Sequence, residues 1–424
     1  MDFERLYAAA QSAPRAAVRA IRDDLTDSAT PVFSFELRTA LRNCGHIEPG
    51  DINDYIRRGR GYGGLARCLK MTRQQMLAEL ALADPFPTLA ETAGDDEYVV
   101  CNAIDPDPQA RTARLLLESD PHAVLEGMLI AAFAVGARRG VIAVADEYPA
   151  VIERLATALG QMRACGLLGG SILDSAFSAE IEVRPVKRAL VLDDETALLA
   201  VLEGRPALPR LRAGRLELFG KPALVDGPEA FARLSGVLDG HPNGETRVIT
   251  IAGEAVHQYT VEVQLGTTLR TLVTEVAGGV AGAGPLKAVQ FGGPAGAFFG
   301  PDSLDTPVSR DNAGSGTLRL FAAGSCAVEM ARDAAAYLRE QSCGKCVFCR
   351  EGTYQMWVVL TDIVEGRGRP ADVGLLVELG EAMKTGAICE LGARAADPVL
   401  SSIARFRGEF DAHISDRRCL ARAE

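Results

Sequence analysis

The chain has 424 residues and a net charge of −11, with 48% hydrophobic and 24% charged residues. The length allows two to four domains with a sizeable core, and the acidic balance argues against a nucleic-acid surface, which needs clustered Lys and Arg. No apolar run of about 18 residues predicts a membrane span, and the N-terminus mixes acids and bases without an apolar signal core, so a cytoplasmic location is expected.

Residues 1–90 read as helices, broken at Glu48-Pro49-Gly50, with Asp51 capping a short helix through Tyr55. The tract Arg58-Gly59-Arg60-Gly61-Tyr62-Gly63-Gly64 looks like a phosphate loop, but no strand precedes it and the G-x-G-x-x-G spacing is missing; a turn between helices is expected. Residues 97–240 alternate. Tyr98–Cys101 is a short apolar strand, Pro121–Gly136 a helix, Val141–Ala145 a buried strand, Tyr148–Leu159 a second helix and Glu180–Val183 a third strand. That order predicts a parallel sheet covered by helices. Between 246 and 300 the pattern changes to β-rich runs, Thr246–Ile251, Gln258–Val263 and Leu286–Phe291, around a Gly-rich tract, which predicts a small β-grasp-like module. From 325 onward the chain is again helical.

Ten cysteines in a cytoplasmic chain do not suggest a disulfide framework. Cys343, Cys346 and Cys349 are each separated by two residues in Ser342-Cys-Gly-Lys-Cys-Val-Phe-Cys-Arg-Glu-Gly-Thr353, which places three thiolates on one tight loop. Such a loop can ligate three irons of a cubane, with Cys389, flanked by Gly386 and Gly392, as the fourth donor. A structural Cys₄ zinc site is the alternative, although it more often uses paired C-x₂₋₄-C elements.

Ser342–Thr353 closely resembles the S-C-G-K-C-x-x-C-R-E-G-T signature of the flavoprotein subunit of bacterial NADH dehydrogenase (respiratory complex I), found also in NAD-linked hydrogenases, formate dehydrogenases and electron-bifurcating enzymes. The similarity extends along most of the chain, through Arg42–Gly45, Val99–Ala103, Leu116–His122, Glu126–Met128, Glu195–Leu199, Gly266–Leu269, Gly292–Pro294, Asp397–Leu400 and Ala412–Ile414. The resemblance implies an α/β fold plus β-grasp and α-helical bundle, the multidomain fold of the complex I flavoprotein subunit. Its parts are a helical N-terminal segment (1–94), a Rossmann-like α/β domain (95–245), a β-grasp module (246–300) and a C-terminal bundle with a 4Fe–4S cluster (301–424). It also implies FMN and NAD chemistry feeding single electrons to the cluster. The expected partners are other redox subunits: a small 2Fe–2S thioredoxin-like subunit and a catalytic subunit. Bifurcating members hold a structural zinc with Cys and His at positions comparable to Cys326, His413 and Cys419; a capping His and ordinary cysteines are the alternative.

The flavin positions depart from the family pattern. The glycine-rich R-G-R-G-G-A-G-F-P-T-G loop is replaced by Ala81-Leu-Ala-Asp-Pro-Phe-Pro-Thr-Leu-Ala-Glu-Thr92, which has no glycine to let backbone donors approach a phosphate. C-G-E-E has become Leu192-Asp193-Asp194-Glu195, V-N-N-x-E-T has become Val225-Asp226-Gly227-Pro228-Glu229-Ala230, and N-A-D-E-G-x-P-G has become Asn102-Ala-Ile-Asp105-Pro-Asp-Pro-Gln109. Asn102, Asp105 and Glu195 remain of the flavin/NAD site. The expectation is an electron-transfer subunit that keeps the cluster and has lost FMN and NADH chemistry. The alternatives are an FMN-dependent NAD(P)H dehydrogenase with an atypical pocket and a structural assembly subunit.

Overall fold

A computed structural model describes residues 1–14, 33–83, 98–211, 214–238, 245–282 and 284–422. The replacement for the flavin loop lies, from residue 84 onward, outside the described residues.

Helices α1 (Phe3–Ser12), α2 (Ile52–Arg57), α3 (Gly63–Cys68) and α4 (Arg73–Ala83) form the N-terminal segment. The Asp51 side chain accepts from the Asn53 N–H and starts α2, as its cap position predicts. Residues 33–47 correct the helical reading: they run as turns and bends. Three consecutive backbone donors in this stretch are taken by a remote carboxylate instead of by helical carbonyls. Glu262, fully buried, accepts from the N–H groups of Thr39, Ala40 and Leu41 at 2.9–3.1 Å. The Arg58–Gly64 tract is the turn between α2 and α3. Tyr62 in the left-handed region caps α3, and the N–H groups of Tyr62 and Leu65 donate to buried Glu126 at 2.9 and 3.1 Å. The anion that this nest holds is a carboxylate of the chain itself.

The first sheet has the order β3-β2-β1-β5-β4. Its strands are β1 (Tyr98–Ala103), β2 (Arg139–Ala145), β3 (Glu180–Val186), β4 (Glu217–Leu218) and β5 (Lys221–Asp226); only β4 is antiparallel. The expected strand–helix alternation is present. Helices α5 (Thr112–Ser119), α6 (Pro121–Val135), α7 (Pro149–Ala164), α8 (Glu195–Leu202) and α9 (Pro228–Leu238) belong to this part. Asp120 caps α6, Pro121 fixes its first turn and Gly136, at φ +81°, ends it. Nearly every residue of α6 is buried, so it is a central helix. It packs so closely on α9 that a Cβ at Gly127 would lie 1.9 Å from the Phe231 carbonyl oxygen.

The second sheet has the order β7-β6-β10-β8-β9, formed by β6 (Thr246–Gly253), β7 (Thr260–Gln264), β8 (Leu286–Phe291), β9 (Ala297–Phe299) and β10 (Thr317–Ala322). Central β10 runs parallel to β6, with Leu318 opposite Ile251, and antiparallel to β8. This corrects the boundary expected at residue 300: the β-grasp sheet is incomplete without residues up to Ala322. Helices α10 (Ala327–Gln341), α11 (Val347–Val364), α12 (Asp372–Gly386), α13 (Glu390–Arg394) and α14 (Asp397–Asp411) then form the C-terminal bundle around its own apolar core. Among the described residues, no helix is long and apolar enough to cross a membrane.

Candidate metal centre and strand-end cleft

Helix α10 stops at Ser342, whose backbone is extended, and Gly344 at φ +76° turns the chain so that Cys346 becomes the N-cap of α11. Cys349 lies buried in the first turn of that helix, and Cys389 is the N-cap of α13. Two of the four cysteines therefore sit at helix N-termini. Glycines bring the helices together: a Cβ at Gly392 would stand 3.2 Å from Cys349 Cβ, and one at Gly386 2.6 Å from the Phe348 ring. The Ser342 hydroxyl is 3.4 Å from Cys349 Sγ, and Arg350 donates to the Gly344 carbonyl at 2.9 Å. Lys345 Nζ reaches the Pro209 carbonyl and ties the loop to the α/β part.

Two of the four thiols, Cys349 and Cys389, are shifted by their surroundings. Burial raises Cys349 above the ordinary thiol range, with Cys343 and Cys346 adding to the rise. Cys389 is pushed up to about 11, first by burial, and also by Asp194, Cys349 and Cys343. Thiolates crowded in this way need a compensating positive charge, which metal ions supply. The four sulfurs are gathered from two segments, the loop between α10 and α11 and the start of α13.

The convergent donors are Cys326, His413 and Cys419, all within 4.8 Å of one another. Cys326 is the N-cap of α10, His413 lies in the turn after α14, and Cys326 Sγ is 3.3 Å from His413 Nε2. Burial lowers the pKa of His413, and its bond to the Ile363 backbone orients the ring, as a second hydrogen bond orients metal-ligating histidines. The three residues singled out in the sequence are thus brought together.

Asn102, Asp105 and Glu195 also meet. They line a cavity of about 430 Å³ at the carboxyl ends of the parallel strands, where open α/β sheets bind ligands. A second cavity, of about 520 Å³, shares Asp193, Glu195, Arg310, Gly314 and Ser315 with it and reaches Cys389. Asp105 caps α5, accepting from the N–H groups of Ala113 and Arg114 at 2.9 and 3.0 Å, and burial raises its pKa to about 6. Asn102 donates to the Leu192 carbonyl, and its buried Oδ1 has no partner. Sequence reasoning missed Arg247, Arg310 and Ser315, which enter from the second sheet and its loops. Arg247 bonds Glu229 and the Gly314 carbonyl. No local motif marks them, because their place depends on how the two sheets meet. Asp105, Glu195 and Glu229 are family positions; Asp193 and Asp226 add two further carboxylates to the lining, beside the guanidiniums of Arg233, Arg247 and Arg310.

Comparison with known proteins assigns these parts. The NADH-ubiquinone oxidoreductase-F iron–sulfur binding region matches residues 329–413, and the Nuo51 FMN-binding domain matches residues 84–220. An NADP-reducing hydrogenase subunit of Solidesulfovibrio fructosivorans is 33% identical over 93% of this chain and 87% of its own length. The chain belongs to the family of complex I flavoprotein subunits. The NADH-quinone oxidoreductase F subunit of Streptomyces coelicolor, 30% identical, covers 86% of this family member and 89% of itself; that of Escherichia coli is 28% identical, with 92% of each covered. The fold is that of an NAD⁺-reducing nickel–iron hydrogenase in its H₂-reduced state, with TM-score 0.73 at 24% identity over 82% of this chain. The family member spans 63% of that hydrogenase chain.

Proposed function

We propose that this family member is an iron–sulfur electron-transfer subunit of a hetero-oligomeric oxidoreductase, without FMN or NADH chemistry of its own. Cys343, Cys346, Cys349 and Cys389 would hold a 4Fe–4S cluster, which supplies one-electron transfer when bound. The Ser342 hydroxyl beside Cys349 and the Gly392 backbone beside Cys389 place hydrogen-bond donors at two of the sulfurs, a means of setting cluster potential. The observation that carries the loss of flavin is the strand-end cleft, where the carboxylates of Asp193 and Asp226 stand at positions that hold no acid in the family pattern. Each like charge near a phosphate costs of order a kcal/mol at short range in a partly dry cleft. Electrons would then enter and leave through partners: a small 2Fe–2S thioredoxin-like subunit and a catalytic subunit, in the cytoplasm. Cys326, His413 and Cys419 would hold a structural zinc that ties the end of the chain to α10.

An FMN-dependent NAD(P)H dehydrogenase is the second reading. The match to the Nuo51 FMN-binding domain and the continuity of the cleft with Cys389 favour it. One preparation, purified anaerobically, separates the two. Broad iron–sulfur absorbance, about four irons and about one zinc per chain, and no flavin fluorescence on acid release are expected. Stoichiometric FMN that bleaches with NADH would establish the second reading instead. A chain with neither iron nor flavin would leave only the structural assembly role.

A further inference from the structure

The sulfurs of Cys326 and Cys419 stand within 4.8 Å of each other, but the two residues are placed differently. Cys326 is buried, the N-cap of α10. Cys419 is half-buried, with exposed residues 415–418 before it and exposed Leu420 after it. Residues 417–419 belong to no helix or strand, and Arg417 turns the chain in the left-handed region at φ +52°. This stretch is held by the Arg418 N–H on the Ala412 carbonyl at 3.3 Å, by the Arg422 N–H on the Cys419 carbonyl at 3.3 Å, and by the Arg422–Glu329 ion pair at 2.8 Å. Sulfurs in a disulfide are about 2 Å apart, so a shift of at most about 3 Å in an irregular segment closes the pair.

The same two sulfurs are metal donors with His413. Among the described residues no fourth Cys, His, Asp or Glu joins these three within 4.8 Å, whereas a closed structural zinc site has four ligands. Oxidation of the pair removes two of the three donors, so a bound metal and a disulfide are alternative states of one site. Helix α10 starts at Cys326 and gives way at Ser342 to the cluster loop, which puts the pair at the far end of the helix that delivers the cluster cysteines.

We propose that Cys326 and Cys419 are a reversible modification site, which low-molecular-weight disulfides such as glutathione disulfide convert to an intramolecular disulfide in competition with a metal. The competition rests on the zinc reading above; the oxidation of the pair does not. Cys419, the more exposed of the two, attacks one sulfur of glutathione disulfide; the bond between the glutathione sulfurs breaks and one glutathione leaves. Cys326 then attacks the Cys419 sulfur, the mixed disulfide breaks and the second glutathione leaves. Each thiol proton ends on a departing glutathione, and His413 Nε2, 3.3 Å from the Cys326 sulfur, is placed to pass on the second. The pair loses two electrons, and one glutathione disulfide becomes two glutathione thiols. The reagent meets Cys419 alone, because buried Cys326 is reached by its neighbour. A site of this kind is no structural disulfide framework; transient, redox-sensing disulfides are the form found in reducing compartments.

The test equilibrates the full-length, cluster-loaded protein anaerobically in glutathione buffers of rising disulfide content, both as purified and after treatment with a zinc chelator. Remaining thiols are alkylated and peptides mapped by mass spectrometry, while released zinc is read with a chromogenic chelator. A linked Cys326–Cys419 peptide, two hydrogens lighter than the reduced pair and reversed by dithiothreitol, is expected. Zinc should appear in step with the link, and the chelator-treated protein should link at a glutathione disulfide content at least about tenfold lower. Cys326→Ser should trap glutathione on Cys419; a variant without it would overturn the order of attack. No link in the chelator-treated wild type, or links from either cysteine to other cysteines instead, would overturn the proposal. A link that forms equally in both samples with no zinc released would remove the zinc reading and leave the modification site standing.

Discussion

Cys389 is remote in sequence from the three-cysteine loop, and it is the residue on which the cluster assignment is most exposed to test. Replacing it with Ala leaves three thiolates and an open iron, so iron content should fall well below the roughly four per chain of the parent. Anaerobic iron analysis that found the full content, with no substitute ligand, would remove Cys389 from the set. Two buried residues away from the metal sites make opposite demands on pH. His122, fully buried between the Tyr62 hydroxyl and Gln161, has its pKa lowered from 6.5 to about 4 by burial. As pH drops through that window the unfolded chain takes up a proton that the folded chain refuses, and stability falls by roughly 3 kcal/mol. Asp105 is raised from 3.8 to about 6, so the folded chain holds its proton longer, and stability falls by roughly 3 kcal/mol as pH rises through that window. Urea unfolding at pH 4 and pH 6.5 should show that His122→Asn costs more at the higher pH, whereas Asp105→Asn costs less there. Curves offset equally at both pH values would mean that these groups titrate normally.

Among the elements, contact between α6 and α9 is the least forgiving. Alanine is normally better than glycine in a helix by about 1 kcal/mol, yet at Gly127 the new Cβ would meet a backbone carbonyl at 1.9 Å. Gly127→Ala should destabilise the chain by at least about 2 kcal/mol. Gly160→Ala, on exposed α7 with nothing within 4 Å, should be neutral or stabilising by about 0.5–1 kcal/mol. Similar unfolding midpoints for the two variants would show that the α6–α9 contact can relax. The same locality explains what can be read in advance. β1, β2 and α6 are continuous apolar runs bounded by their own caps, and the three-cysteine loop is a local spacing, so both are legible in the sequence. Strand β10 is not, because its parallel partner, β6, is some seventy positions away, Leu318 facing Ile251, and Thr317 and Arg319 break its apolar run. Residues 33–47 read wrongly as helix, in part because the N–H groups of Thr39, Ala40 and Leu41 belong to Glu262. Arg247, Arg310 and Ser315 acquire a role only through the meeting of the two sheets.

At the scale of the whole molecule, the strand-end cleft adjoins a second cavity that reaches Cys389. The chain is also tied across its length by two buried carboxylates. Glu126 of the first sheet's central helix holds the α2–α3 turn, and Glu262 of the second sheet holds Thr39–Leu41, 221 to 223 positions earlier. The two anions arrive late during synthesis. A ribosome that has released the first seventy residues has made the two receptors but neither of their occupants, and the second receptor waits until β7 emerges. The amino-terminal segment should therefore be among the last parts to be sealed, and a nascent chain halted near residue 245 should leave the amides of Thr39, Ala40 and Leu41 open to rapid hydrogen exchange while those of Tyr62 and Leu65 are already slow. Slow exchange at all five in the halted chain would show that the segment folds without its distant anchor.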